Sequence, residues 1–280
     1  MARRVAQYFD WDDAGSSTFY VPGHVDDVTY DNDGGLEWET GMGGVATEAR
    51  GVVVPSGTVN FRPVDGTFLN KCLRAGWTAN PSPLIIRVGT SSEAYTHNYA
   101  YCQTLSIKGS VNSRLSASMS WLALTPDTVE VPTWTAYSTG NPFGWHQGVC
   151  TVNDAALSMQ DFTIDLNHNL QAHTSLDSKS ADSQRIADEI TAHNMELSFT
   201  ATVHVPMSSE SIENWGDTPT SSSSASLAFT SATPTTLTIA VSNLTLPKWT
   251  YNGTPSDNVA SWTLNFSGKT NASNVSITAT

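Results

Sequence analysis

Between Asp161 and Val205 the chain twice alternates apolar with polar residues, and that alternation restricts what it can fold into. In the first run Phe162, Ile164 and Leu166 fall on one side of an extended strand, and Thr163, Asp165 and Asn167 on the other. In the second, Leu197, Phe199, Ala201, Val203 and Val205 alternate with Ser198, Thr200, Thr202 and His204. A period of two over such lengths predicts strands with one packed and one polar face. The polar sides of these two runs hold small uncharged or acidic residues, no Lys or Arg, and no recognisable catalytic chemistry.

The same signal recurs elsewhere. Leu115, Ala117, Met119 and Trp121 alternate with Ser116, Ser118 and Ser120, and further runs centre on Leu84–Val88, Tyr99–Ile107, Leu237–Val241, Trp262–Phe266 and Val275–Ile277. Helical spacing is scarcer. Phe68, Leu69, Cys72 and Leu73 before Gly76 predict one short helix. Ser180 as N-cap, Asp182 in the first turn and the Ile186/Ile190 pair predict a second, ending near Asn194. The fold class is therefore mainly β: an antiparallel sandwich or partly closed barrel with one or two short helices. Residues 1–50, acidic and interrupted by Gly34-Gly35 and Gly41–Gly44, read as an irregular arm with short strands. Residues 51–280 read as the β domain, carrying a long Pro-, Gly- and Trp-rich loop at 126–148 and a Ser-rich loop at 216–226.

Composition removes several function classes. The 280 residues carry a formal charge of −13, from 26 acidic and 13 basic side chains. A protein that grips nucleic-acid phosphates needs clustered Lys and Arg, and this chain has too few. A protein that lets nucleic acid pass without holding it faces no such demand. Cys72, Cys102 and Cys150 lack metal-ligand spacing and read as three buried thiols. The start, MARRVAQYFDWDDAG, lacks the apolar run of a signal peptide, and no stretch is apolar enough for a membrane span.

Candidate chemistry fails on inspection. Aligning Gly34 with the glycine of a calcium-binding EF-hand loop puts Thr29 and Thr40 where carboxylates are required, which rules out that motif. Asp26, Asp27, Asp31 and Asp33 read as a solvated acidic turn, with a looser cation site as the alternative. His168, His173, His193 and His204 form no HExxH, and no GxSxG, P-loop or GxGxxG occurs. No metal, cofactor or catalytic residue is expected. Trp134 and Trp145, inside the 126–148 loop, are the tryptophans best placed for contact surface.

The Tyr99–Leu124 hairpin, the variable loop, and the segments FTIDLNHNL, SADSQRIADEI and MELSFTATV together resemble the major tail tube protein of long, flexible-tailed bacteriophages. The closing LTLPKWTYNGTPSDNVASWTLNFSG is similar to the same family's last strands, and the likeness spans residues 84–280. It implies a non-enzymatic virion subunit, assembled in the bacterial cytoplasm, that forms six-membered rings stacked into a hollow tube. Each subunit would lend strands to an oligomeric β-barrel around the channel. Implied partners are further copies of the chain, a tape-measure protein in the channel during assembly, tail-tip and terminator proteins, and double-stranded DNA in transit, with no membrane.

On that expectation Ser116, Ser118, Ser120, Thr163, Asp165, Ser198, Thr200 and Thr202 face the lumen. Ile186, Ile190, Trp134 and Trp145 supply subunit contacts. Another tail ring of related fold, a carbohydrate-binding adhesin sandwich and a jelly-roll glycosidase are the alternative readings. Copy number per virion, glycan affinity and essential carboxylates, respectively, separate them.

Overall fold

A computed structural model describes residues 4–13, 18–31, 36–40, 46–50, 52–74, 79–125, 129–130, 133–136, 140–152, 155–173, 180–181, 184–206, 223–230, 236–252, 259–269 and 275–279. The N-terminal quarter contributes strands β1 (Arg4–Ala6), β2 (Tyr8–Asp13), β3 (His24–Asp31), β4 (Leu36–Thr40), β5 (Ala46–Arg50), β6 (Val52–Val53) and β7 (Ser56–Arg62), then helix α1 (Thr67–Lys71). The middle supplies β8 (Leu84–Gly89), β9 (Ala94–Ser110), β10 (Ser116–Thr125), β11 (Val129–Glu130), β12 (Gly148–Val152) and β13 (Ala155–Asn167). Four short strands follow: β14 (Leu170–His173), β15 (Ser180–Ala181), β16 (Gln184–Ile186) and β17 (Glu189–Ala192). The chain closes with β18 (Glu196–Pro206), β19 (Ser223–Thr230), β20 (Thr236–Asn252), β21 (Val259–Lys269) and β22 (Val275–Ala279).

One antiparallel sheet dominates. It runs β1-β3-β7-β10-β9-β13, and from β13 it continues both to β12-β19-β20-β21 and directly to β18, which meets β21. The strands from β13 round to β18 therefore close on themselves, while the β1 side stays open. The long strands β13 and β20 make this possible, each pairing with different neighbours along its two halves. Register shifts at Met159/Asp161 and Thr245/Lys248 mark where they turn. An extra residue on one side of a ladder bends and twists the strand, which is how a sheet curls. The expected mainly-β, partly closed architecture is what the chain adopts.

Alternation fixes the core. Along the main sheet Val28, Val59, Met119, Leu105, Leu166 and Leu197 are successive cross-strand partners, and all are buried. Phe162, Ile164, Phe199, Phe229, Ile239 and Ile277 join them in one continuous cluster. Trp121 is fully buried, and its indole Nε1 donates to Nδ1 of buried His97 at 2.9 Å. Its ring needs the bare backbone of Gly57, where an added Cβ would lie 2.2 Å from the indole.

Three sequence expectations change. The described residues of 180–194 are not helical: β15 pairs with β16, β16 runs parallel to β6, and β17 pairs with β14. Only two apolar residues defined the helical stripe, and Ile186, Ile190 and Thr191 are β-branched, which suits an extended chain better. The Asn80 side chain secures β17, donating to the Ile190 carbonyl at 2.7 Å and accepting from the Ala192 amide at 2.8 Å. Asp182 lies outside the described residues.

Within the Ser-rich 216–226 stretch, Ser223–Ser226 belong to β19 and pair with β20, while 216–222 lie outside the described residues. The alternation of Ala225, Leu227 and Phe229 outweighs the serine content there.

In the N-terminal fifty residues, β1, β2 and β3 are paired within the main sheet, with Phe9 and Trp11 in the core. The intervening acids hid that strand. Asp10 is buried, and Arg87 on β8 grips it with two hydrogen bonds, 2.8 Å from Nε and 2.5 Å from Nη2. Thr135 adds its amide and hydroxyl at 3.3 and 3.1 Å, and Phe19 covers the guanidinium face at 3.5 Å. Removing one partner of such a pair strands a buried charge. Asp10→Ala is expected to cost about 3–5 kcal/mol in chemical unfolding. Replacing Asp10 and Arg87 together by Leu should cost much less, a pattern that a double-mutant cycle reads directly.

Candidate functional site

The feature that sets this sheet apart is the face turned away from its core. Because the strands pair antiparallel in register, polar positions of neighbouring strands fall side by side in transverse rows. One row runs Asp27, Asn60, Ser118, Ser106, Asp165, Ser198, Ser267, Thr245, from β3 across to β20. The next runs Thr29, Thr58, Ser120, Thr104, Asn167, Glu196, Lys269. On the other side lie Ser116, Lys108, Thr163, Thr200, Asn265, Lys248, and then Ser110, Asp161, Thr202, Thr263, Thr250. Not one apolar residue interrupts these four rows.

All eight residues singled out from the sequence stand in this field, on β10, β13 and β18, each exposed or half-buried. β9 is the strand that joins them, pairing with β10 on one side and β13 on the other. Its Thr104, Ser106 and Lys108 were not singled out, nor were Thr58 and Asn60 on β7. Their alternation with Leu105, Ile107 and Val59 was the signal that would have found them.

Hydroxyl groups bond laterally across the face. Thr104 and Ser120 share a hydrogen at 2.5 Å, and the Thr200 hydroxyl donates to Asn265 Oδ1 at 3.4 Å. Such pairs stabilise a sheet modestly and hold side chains down on it.

The charge of the face differs from expectation. Lys108, Lys248 and Lys269 occupy its rows, so it is not free of lysine. By register Lys269 stands opposite Glu196 and Lys248 opposite Asn265, and Lys108 lies diagonally between Asp161 and Asp165. With Asp27 the rows hold four carboxylates against three lysines and no arginine, which leaves them polar without being basic. Arg62, at the margin, is tied to Asp26 by an exposed ion pair of 3.1 Å.

The four candidates for subunit contacts are packed wholly or in part within the protomer. Ile190 is 1% exposed, so the protomer's own interior already uses it, and Ile186 is half-buried on β16 rather than beside it on a helix. Trp134 stacks on Tyr8, 5.2 Å between centroids, and its Nε1 donates to the Thr90 carbonyl at 2.9 Å. Trp145 stacks on Phe162 at 6.2 Å. Both rings are half-buried and tie the described residues around them to the body of the protein.

Two carboxylates of the acidic turn have partners within the subunit, Asp26 in Arg62 and Asp27 in the Asn60 amide at 2.7 Å, while Asp33 lies outside the described residues. His168 donates from Nε2 to the Cys72 carbonyl at 2.8 Å, His173 meets the Thr191 hydroxyl, and His193 meets Gln171. Among the described residues no three His, Cys, Asp or Glu side chains converge as a metal site would require. The three cysteines are free and buried, and burial pushes Cys150 up to about 12 and Cys102 well above its ordinary value, which suits packing more than reactivity. No described helix is long and apolar enough to cross a membrane.

No curated protein matches the chain. A family model described as phage tail tube protein matches residues 12–279, essentially the whole chain, so this protein belongs to the phage tail tube family and is a structural component of the phage tail.

Proposed function

We propose that this chain is the major subunit of the tail tube, that six copies form each ring, and that the polar face of the curved sheet lines the channel through which phage DNA passes. The observation that carries the reading is the set of unbroken polar rows across β3, β7, β10, β9, β13, β18 and β21, backed by a continuous apolar core. Hydroxyls, amides and carboxylates without arginine offer a passing phosphate backbone nothing bidentate to hold it. Ser116, Ser118, Ser120, Thr163, Asp165, Ser198, Thr200 and Thr202 are the lumen residues in this reading, with Thr104, Ser106 and Lys108 between them. The same channel would hold the tape-measure protein during assembly, and terminator and tail-tip proteins would cap the two ends. Self-assembly is concentration-dependent, so electron microscopy of the purified protein at low and high concentration tests the reading. Hollow rings or tubes are expected, whereas a monomer at every concentration contradicts it.

A further inference from the structure

Cys72 and Cys102 are 30 positions apart in the sequence, and the fold sets their thiols against each other in hydrogen-bonding contact. Cys72 stands one residue past α1, its amide bonded back to the Phe68 carbonyl at 3.2 Å. Cys102 lies on β9 opposite Trp121, at the register shift between β9 and β10, and its Sγ donates to the Thr104 carbonyl at 3.5 Å. His168 ties the two segments together. Its amide donates to the Gln103 carbonyl at 2.9 Å, and its Nε2 to the Cys72 carbonyl at 2.8 Å. Both cysteines are buried in the core, so the contact is held by the fold rather than by chance at a surface. Cys150, on β12, feels burial alone and takes no part in it.

Two thiols already in contact need only draw their sulfurs in to about 2 Å to be bridged. The side bearing Cys72 is the one able to give: α1 spans five residues, and so short an element opens locally more readily than the sheet.

We propose that Cys72 and Cys102 form a disulfide when the subunit passes from a reducing to an oxidising medium, fastening α1 to β9. The oxidant is a small-molecule disulfide such as oxidised glutathione. One protein thiolate attacks it, forms a mixed disulfide and releases a first glutathione thiolate. The second protein thiolate attacks that mixed disulfide, closing the protein bond and releasing the second glutathione. Two electrons pass from the cysteine pair to glutathione, and the two protons shed by the cysteines end on the thiols released. Burial and the neighbouring thiol hold Cys102 well above its ordinary value, so thiolate is scarce and the exchange takes on the order of hours. On the tube reading the subunit meets that change of medium once, on leaving the host cell; the pairing itself rests on the fold.

The test takes the purified full-length protein, fully reduced, and incubates it for about a day with oxidised glutathione or with dithiothreitol. Alkylation in denaturant followed by intact mass should count one free thiol after oxidation and all three after reduction. Peptide mapping should join the Cys72 and Cys102 peptides. The cross-link should lower the unfolding constant, read by denaturant titration, about a hundredfold. Cys72→Ser should keep both of its remaining thiols free and gain no stability from the oxidant. Cys102→Ser should behave alike and covers the case in which Cys72→Ser misfolds. Three free thiols after oxidation, a glutathione adduct that never resolves, or a bond that includes Cys150 would each overturn the proposal.

Discussion

Lowering the pH from 7.5 to 5.5 is expected to take about 3 kcal/mol from the folding stability, through two histidines that the fold keeps neutral. Burial lowers His97 from 6.5 to about 3 and His168 to about 4. Beside His168 the Arg74 charge adds to the effect of burial, and the hydrogen bond to the Cys72 carbonyl opposes it. Both folded values lie below the unfolded one, so the unfolded chain takes up protons first as pH falls. Stability is full above about pH 7, declines below 6.5, and stops declining once the folded values near 4 and 3 are passed. At pH 5.5 each site costs roughly 1.4 kcal/mol, because the unfolded imidazole is then mostly charged and the folded one is not.

Protonated His97 would also turn an N–H toward the Trp121 indole N–H that it now accepts from, in the middle of the core. Denaturant unfolding at a series of pH values reads the slope. His168→Gln, able to donate to the same carbonyl through its amide, should remove about half of it. A stability curve flat between pH 7.5 and 5.5 would show that these imidazoles are not held neutral.

The second large effect concerns the polar face. Ser118, Asp165 and Ser198 stand in one transverse row, and none is buried. Changing all three to Lys adds four positive charges per subunit, one at each serine and two at the aspartate. Exposed substitutions of this kind usually move stability by under about 0.5 kcal/mol each, so folding and assembly should survive. Passage of DNA should not. Each neutralised phosphate contributes counterion release, and a ring of six such subunits would present a dense cationic collar. Phage carrying the triple change are expected to adsorb normally and eject DNA at least tenfold more slowly, with recovery at higher salt. Ejection at the wild-type rate would mean that this row does not meet the DNA.

Much of the fold was legible because its main strands alternate cleanly. Phe162–Leu166 and Leu197–Val203 announced both the packed face and the polar one, and the register then set their polar residues side by side. What the sequence hid were places where tertiary contacts overrule local pattern. Asp10 and Asp12 mask a core strand, since Phe9 and Trp11 are readable as buried only once Arg87 is known to neutralise Asp10. Ile186 and Ile190 fit a helical period as well as they fit two short strands, and the Asn80 side chain that fixes β17 is 110 residues from Ile190. Lys108 lies just beyond the Tyr99–Ile107 run read from the sequence, within β9, and nothing in the local sequence placed it between Asp161 and Asp165. The polar face was thus visible strand by strand; the pairing of β9 with β13, which knits the strands into one surface, needed the structure.

If the rows running through Ser118, Ser106, Asp165 and Ser198 face a DNA-conducting channel, an assembled tube must carry them on its inner wall. A cryo-electron-microscopy map of tubes assembled from the purified protein tests it most directly. The expected map shows a hollow, six-fold tube with β9, β10, β13 and β18 on its inner wall and their Ser, Thr and Asp side chains bordering the lumen. A tube with these strands on its outer surface, or buried between subunits, would contradict it.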